Sequence, residues 1–344
     1  MKKFPEIPIS VLDLAPVGEG FDVPEALRNT LDLARHTERL GYNRFWLAEH
    51  HSMPAIASAA TSVVMGYVAA GTSTIRVGSG GIMLSNHAPL LIAEQFGTLE
   101  SIYPGRIDLG LGRAPGTDRL TMRALRHRIE AEDEFPELLA ELQFFLKEPI
   151  EGQKLRAVPG EGLNIPIWLL GSSGFSARLA GELGLPFSFA GHFSPEFIVP
   201  AIQLYRESFR PSAELKEPYA MLAVNAIAAD SPEEAWRLAT SQFQTFLRMI
   251  RGQTGKLPPP VHDMDAICTP DEKAAVNSRL AGSVIGSREE IRDGFERLIE
   301  LVQPDEFILN ALIHDHTARL RSYEIIADVW KGEAENASKF RVSV

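Results

Sequence analysis

One cysteine, Cys268, is all the thiol chemistry this chain of 344 residues carries. An intramolecular disulfide framework is thereby excluded, as are zinc or iron-sulfur centres built on cysteine, and a reducing cytoplasm is the expected compartment. Basic charge is scarce as well: 34 Lys and Arg stand against 45 Asp and Glu, a net charge of -11. A nucleic-acid groove or an anionic membrane surface needs a field of the opposite sign, so neither partner is expected. No apolar run reaches the length of a membrane span. The stretch MKKFPEIPISVLDLAP has its apolar residues interrupted by Glu6 and Asp13 and lacks a small-residue cleavage pattern, so a secretory signal is not expected. Also missing is a usable G-x-G-x-x-G fingerprint after a strand with an acidic residue further on, which argues against a nicotinamide dinucleotide site of that type.

What the chain does have is a hydrophobic fraction of 45%, enough for a large core. Short apolar or β-branched runs alternate with helical periodicity. Strands are predicted over 7–14, 43–50, 74–84, 105–112, 165–173, 185–193, 219–230 and 305–312. Helices are predicted over 23–41, 57–72, 89–105, 175–184, 195–210, 231–250, 287–302 and 315–330, with a charged helical region over 118–147. Eight strands with helices following them predict a closed (β/α)₈ TIM barrel as a single domain over 1–335, ending in a polar tail at 336–344. Residues 251–286, rich in Pro and Gly and containing Pro258 to Pro260, are too long for an ordinary connection and predict an insertion before the eighth unit. It reads equally as a lid over the barrel mouth or as a surface loop.

Reactive groups of such barrels gather at the C-terminal ends of strands. The stretch WLAEHHSM places Glu49, His50 and His51 there. Side chains at consecutive strand positions point to opposite faces, so His50 and His51 do not readily chelate one ion, and no metal is expected. A base or hydrogen-bond donor near neutrality fits them better. In GLGRAPG, at the end of the fourth strand, Arg113 offers a planar cation suited to a phosphate, or a partner for any nearby carboxylate. In LLGSSGFSARLAGELG a strand ends at Gly171, Ser172 and Ser173 and a helix begins, a combination that favours anions; either serine could equally be a plain N-cap. RVGSGGIMLSNHAP contains Ser79, Gly80 and Gly81, glycines that suit either a bulge or the close approach of a flat ring. Phe4, Met83, Trp168, Phe189 and Phe193 read as core residues first and cavity residues second, and His192 stands near the sixth strand's end.

In the order and spacing of FWLAEHH, VGSGGIMLSNHAP followed by AEQ, YPGRIDLGLGRAPG, and IGSREEIRD, the chain resembles the bacterial luciferase-like flavin-dependent monooxygenases over nearly its whole length. The resemblance implies reduced FMN at the mouth of the barrel, reaction with O₂, and oxygen insertion into a small organic substrate. It implies that His50 is the acid/base group or steadies the reacting oxygen, with Glu49 and His51 beside it. It further implies a cis peptide between Gly80 and Gly81 against the flavin ring, and an FMN phosphate held by Arg113 and the Gly171–Ser173 turn. A separate flavin reductase is expected, given the missing nicotinamide fingerprint, and so is a homodimer packed through early helices such as ASAATSVVMGYVAAG. Bacterial luciferase has a reactive cysteine where this chain has Gly112, which argues against light emission and a long-chain aldehyde substrate. Two other readings stand beside this one: a deazaflavin (F420)-dependent dehydrogenase on the same barrel, and a non-catalytic flavin-binding protein.

Overall fold

A computed structural model describes residues 6–126 and 133–341, with side chains described as far as residue 332. β1 (Ile9–Asp13), β2 (Arg44–Leu47), β3 (Arg76–Ser79), β4 (Ile82–Met83), β5 (Ile107–Gly112), β6 (Ile167–Gly171), β7 (Phe187–Phe189), β8 (Ala220–Ala228), β9 (Val284–Gly286) and β10 (Glu306–Asn310) are all paired in parallel. β10 pairs with both β8 and β1 and closes the barrel, in the order β10-β1-β2-β3-β5-β6-β7-β8. β4 and β9 lie off this path, on β5 and β8. The helices are α1 (Val23–Leu40), α2 (Thr61–Gly71), α3 (Pro89–Ile102), α4 (Arg119–Ala124), α5 (Phe135–Leu146), α6 (Gly174–Leu183), α7 (Ile198–Ser208), α8 (Pro232–Ile250), α9 (Pro270–Arg279), α10 (Arg288–Val302) and α11 (His316–Arg341). The fold is the (β/α)₈ barrel that the alternation predicts.

Local chemistry sets the element ends. Asp22 accepts a hydrogen bond from the Glu25 N–H to cap α1, and Gly41 closes it with a φ of 85°, a conformation that costs glycine little. Every residue of β8 is buried, as a strand wrapped by helices outside and filled with side chains inside requires. Inside the barrel, Leu12, Trp46, Trp168, Met221, Ala223 and Ile308 form a compact plug, with Trp46 and Trp168 meeting edge to face at 5.2 Å. Gly78 sits in register with Trp46, and a Cβ there would come within 2.5 Å of the indole nitrogen. Below the plug the barrel is charged: Arg44 pairs with Asp108 (2.7 Å) and Glu306 (3.1 Å), and Arg76 pairs with Asp108 (2.6 Å). These ions satisfy one another, as buried charges must.

Three elements depart from the pattern read in the sequence. The strand over 74–84 is broken at Gly80–Gly81, where the peptide is cis, and continues as β4. A Cβ on Gly81 would lie 2.8 Å from the Gly110 carbonyl oxygen, so the break lets two backbones approach. The helical region over 118–147 comprises α4 and α5, and its middle, 127–132, lies outside the described residues. α10, rather than α8, packs between α7 and α11 in the outer ring, and so is the crossover helix from β8 to β10. α8, α9 and β9 together form the inserted layer, which begins before residue 251. That layer is tied down: Leu257 exchanges backbone hydrogen bonds with Val17 (2.9 Å) and Glu19 (2.8 Å), and Thr240 on α8 receives the Val261 N–H (2.8 Å). The stretch IGSREEIRD caps α10, through reciprocal bonds between Ser287 and Glu290. α11 carries the backbone to Arg341, through much of the stretch read as a tail; residues 342–344 of that tail lie outside the described residues.

Candidate active site

β2 ends at Leu47, and the next four residues form the rim of the mouth, where the strand alternation still holds: Glu49 and His51 turn one way and His50 the other. The Glu49 carboxylate is buried, with His51 Nε2 at 2.7 Å and His87 Nε2 at 2.9 Å from Oε1, and the Met83 N–H at 3.0 Å from Oε2. Burial by itself raises a carboxyl pKa, but the hydrogen bonds from His51, His87 and Met83 outweigh it and bring Glu49 down to about 2. Glu49 is therefore an anion that pins the turn Leu84–Asn86 to the end of β2. Its oxygen and the two imidazole nitrogens lie within 4.8 Å of one another, a spacing an ion could use.

His50 lines a cavity of about 230 Å³ at the mouth, with Trp46 below and Gly80, Gly81 and Met83 beside it. Its Nδ1 lies 3.3 Å from the Gly116 carbonyl oxygen. Burial lowers the His50 pKa beneath its ordinary value, against the raising effect of that carbonyl and of Glu49, so the ring is neutral at physiological pH. Ser172, Ser173 and Arg113 lie on the same cavity. Ser173 stands at the N-cap of α6, yet its side chain makes no capping hydrogen bond, so the hydroxyl and the first N–H groups of the helix are left for a ligand. The Arg113 guanidinium lies 4.3 Å over the Phe175 ring and forms no ion pair among the described residues. A cation, two hydroxyls and a helix N-terminus with uncommitted donors make a cradle for a phosphate.

Of the residues picked out from the sequence, His50, Gly80, Gly81, Arg113, Gly171, Ser172 and Ser173 line this cavity, and Glu49, His51 and Ser79 do not. The Ser79 hydroxyl donates to the Gly110 carbonyl (2.8 Å) and accepts from the Gly110 N–H (3.0 Å), which places it between strands. Met83 and Phe193 reach the cavity; Phe189 is buried in the core, and Phe4 lies outside the described residues. His192 was read only as a neighbour of the sixth strand's end, and it too lines the cavity. A larger opening of about 530 Å³ lies at the other end of the barrel, with Trp168 on its wall. Its arginines, Arg44 and Arg76, are already neutralised by Asp108 and Glu306, and it lies at the N-terminal face, where barrels of this kind carry stability rather than chemistry. No helix among the described residues is long and apolar enough to cross a membrane.

Comparison with known proteins places these features in context. Residues 7–303 match the family model described as luciferase-like monooxygenase. A Bacillus subtilis protein named YvbT is 58% identical over 94% of this chain and 96% of its own, and an Escherichia coli protein named luciferase-like monooxygenase is 52% identical over 94% and 97%. The N-acetyl-S-alkylcysteine monooxygenase of B. subtilis is 31% identical over 94% and 98%. Among solved structures, apo-MsnO8 superposes with a TM-score of 0.87 at 36% identity, covering 94% of this chain and 98% of that one. The same fold, at 17% and 15% identity, is shared by the FMN complex of the oxygenating constituent of 3,6-diketocamphane monooxygenase from Pseudomonas putida (TM-score 0.70, covering 94% and 97%) and by an F420-dependent secondary alcohol dehydrogenase (TM-score 0.68, covering 94% and 99%).

Proposed function

The chain belongs to the luciferase-like monooxygenase family, and from that premise we propose that it is an FMN-dependent monooxygenase that oxygenates a small organic substrate with O₂, using reduced flavin delivered by a separate reductase. The observation that carries the FMN assignment is the phosphate cradle: Arg113 without a carboxylate partner among the described residues, beside an N-cap serine whose hydroxyl caps nothing. Gly80 and Gly81, side by side on the cavity wall, leave a flat backbone surface next to His50 that suits an isoalloxazine ring.

Bound reduced FMN would supply the electrons for activating O₂, chemistry that belongs to the cofactor. The chain supplies the rest. Arg113, Ser172 and Ser173 hold the phosphate; Trp46 and Met83 exclude water from the ring's side of the cavity; His50 takes or returns a proton through its free nitrogen. Glu49 and His51 act at one remove, by fixing the rim that presents His50. We further propose that a homodimer forms through α2, on which Val63 and Tyr67 are exposed on one face while Val64, Met65 and Val68 pack inward.

The test is an anaerobic titration of the purified protein, followed by flavin fluorescence, with FMN, riboflavin and a deazaflavin in parallel, after which the reduced complexes are mixed with substrate and O₂. Tight binding of FMN, weak binding of riboflavin and oxygen uptake coupled to substrate loss support the proposal. Preference for the deazaflavin, with hydride transfer and no oxygen uptake, replaces it with a dehydrogenase.

A further inference from the structure

His192 follows β7, which lies four strands around the barrel from β2, so the rings of His50 and His192 enter the cavity from opposed sides of its wall. The loop that carries His192 is held rigidly. Its backbone N–H donates to the Ala223 carbonyl at 3.0 Å, and a Cβ on the preceding Gly191 would come within 2.9 Å of that same oxygen. The imidazole lies against the Phe193 ring, with centroids 4.1 Å apart. The residue is 7% exposed, and what surface it retains opens into the cavity. Its Nδ1 is fully enclosed and has no hydrogen-bond partner.

We propose that His192 keeps its proton on Nε2 and donates a hydrogen bond from it to a carbonyl oxygen bound in the cavity, while His50 keeps its proton on Nδ1 and presents an unprotonated Nε2 to the same ligand. The assignment for His50 follows from Gly116, whose carbonyl can only accept, so the nitrogen 3.3 Å from it is the one that carries hydrogen. The assignment for His192 follows from its enclosed nitrogen. An enclosed N–H with no acceptor in bonding geometry forfeits its hydrogen bond, the Ala223 carbonyl already takes the residue's own backbone N–H, and orphan donors of this kind are rarer than unfilled acceptors, so the proton sits on the nitrogen that can reach a ligand. Burial, reinforced by the nearby His50 and opposed by the Ala223 carbonyl, lowers the His192 pKa to about 4 and keeps the ring uncharged at physiological pH. The cavity thus offers one acceptor and one donor on opposed walls, a pair that recognises a carbonyl compound with a removable proton and gives no counter-charge to a cation or an anion at that point.

The identity of the carbonyl rests on the proposed function: it belongs either to the flavin ring or to the substrate. Two measurements separate these sources and keep the inference independent of the flavin. Long-range ¹H–¹⁵N correlation spectra of the ligand-free protein, with histidine labelled and assigned through His50→Gln and His192→Gln, are expected to show His192 protonated at Nε2 and His50 at Nδ1. A His192 protonated at Nδ1, or on both nitrogens at pH 7, overturns the inference whatever the cofactor proves to be. Replacement by Leu is expected to weaken either FMN binding or substrate kcat/KM by on the order of 10-fold, the first if the ring supplies the oxygen and the second if the substrate does. His192→Gln, whose amide reaches the Nε2 position, is expected to restore most of the loss, and His192→Asn is not. Equal losses in all three variants overturn the donor role. Failure of the wild-type protein to bind any flavin would overturn the proposed function and leave the tautomer result standing.

Discussion

His87 Nε2 lies 2.9 Å from Oε1 of Glu49, so a residue in the turn after β4 is bonded to the end of β2. The same oxygen receives His51 Nε2, which leaves His50, between the two, as the imidazole of the pair that faces the cavity. Two adjacent histidines thus divide into one that is bonded to Glu49 and one that faces the cavity. The strand alternation makes the division, and the Glu49 anion fixes it.

Acid should undo that arrangement. Glu49 titrates at about 2 in the folded protein against an ordinary value of 4.5, so it contributes stability that is present above about pH 4.5 and lost as pH falls toward 2. The difference corresponds to roughly 3 kcal/mol. Urea unfolding between pH 7 and pH 3 is expected to show about 2 kcal/mol of that loss in the native chain, the remainder falling below pH 3. Glu49→Gln should be less stable at pH 7 and show a shallower acid limb. Parallel limbs for the two proteins would remove Glu49 from this role.

His50→Ala is expected to lower kcat/KM by about 10²- to 10⁴-fold while leaving FMN affinity nearly unchanged, as for a residue that moves a proton. A base works in its unprotonated form, and burial lowers the His50 pKa, so activity should persist as pH falls past 6.5 and fail only further down. The pH profile of kcat/KM checks the sign. An acid limb centred above 6.5 would show that a different group is titrating.

The barrel was legible because its strands announce themselves locally: β8 is apolar throughout except at Asn225, and α1 and α8 carry their own caps in Asp22, Ser231 and Gly41. His50, Arg113 and the Ser172–Ser173 turn were legible because strand ends and glycine turns mark the mouth. What escaped depends on distance along the chain. α8 and α10 are both amphipathic and both follow a serine, and their different places appear only once β9 pairs with β8. Ser79 looked available until β5 supplied Gly110 to bond it. The partner of Glu49 lies in a separate loop, and the enclosed nitrogen of His192 is a property of packing that no spacing rule encodes.

If Arg113 and the α6 terminus hold a phosphate, their removal should be felt only by ligands that have one. Arg113→Ala is expected to weaken FMN binding by roughly 10- to 100-fold, the worth of a charge-assisted hydrogen bond. Ser173→Ala should weaken it less. Riboflavin, which has no phosphate, should bind both variants as it binds the native protein. A matching loss of riboflavin affinity would mean that the variants disturb the ring site instead.

Val63 and Tyr67 are four residues apart on α2 and both exposed, 70% and 42% respectively, an apolar strip that a second copy could cover. Val63→Asp with Tyr67→Asp should convert a dimer into a monomer in sedimentation velocity, with the far-ultraviolet spectrum unchanged because neither side chain is part of the core. A native protein that sediments as a monomer at tens of micromolar, about the concentration at which weak interfaces form, would dismiss the interface directly.

The Glu49, His51 and His87 cluster has the donor set of a divalent-ion site, and its atoms are close enough to share one. The hydrogen bonds argue for a different occupant. Both imidazoles direct Nε2 at a carboxylate that can only accept, so each of those nitrogens carries a proton where an ion would need a lone pair. Binding an ion would expel both protons and break both bonds, while the Met83 N–H holds the other carboxylate oxygen in place. Exhaustive dialysis against EDTA is therefore expected to change neither the melting temperature nor FMN affinity, and elemental analysis of protein from metal-rich medium should find far less than one equivalent of zinc, iron or manganese. Stoichiometric metal that is lost together with stability on chelation, and is absent from His87→Ala, would make the cluster a metal site and require the acid response of Glu49 to be read as release of the ion.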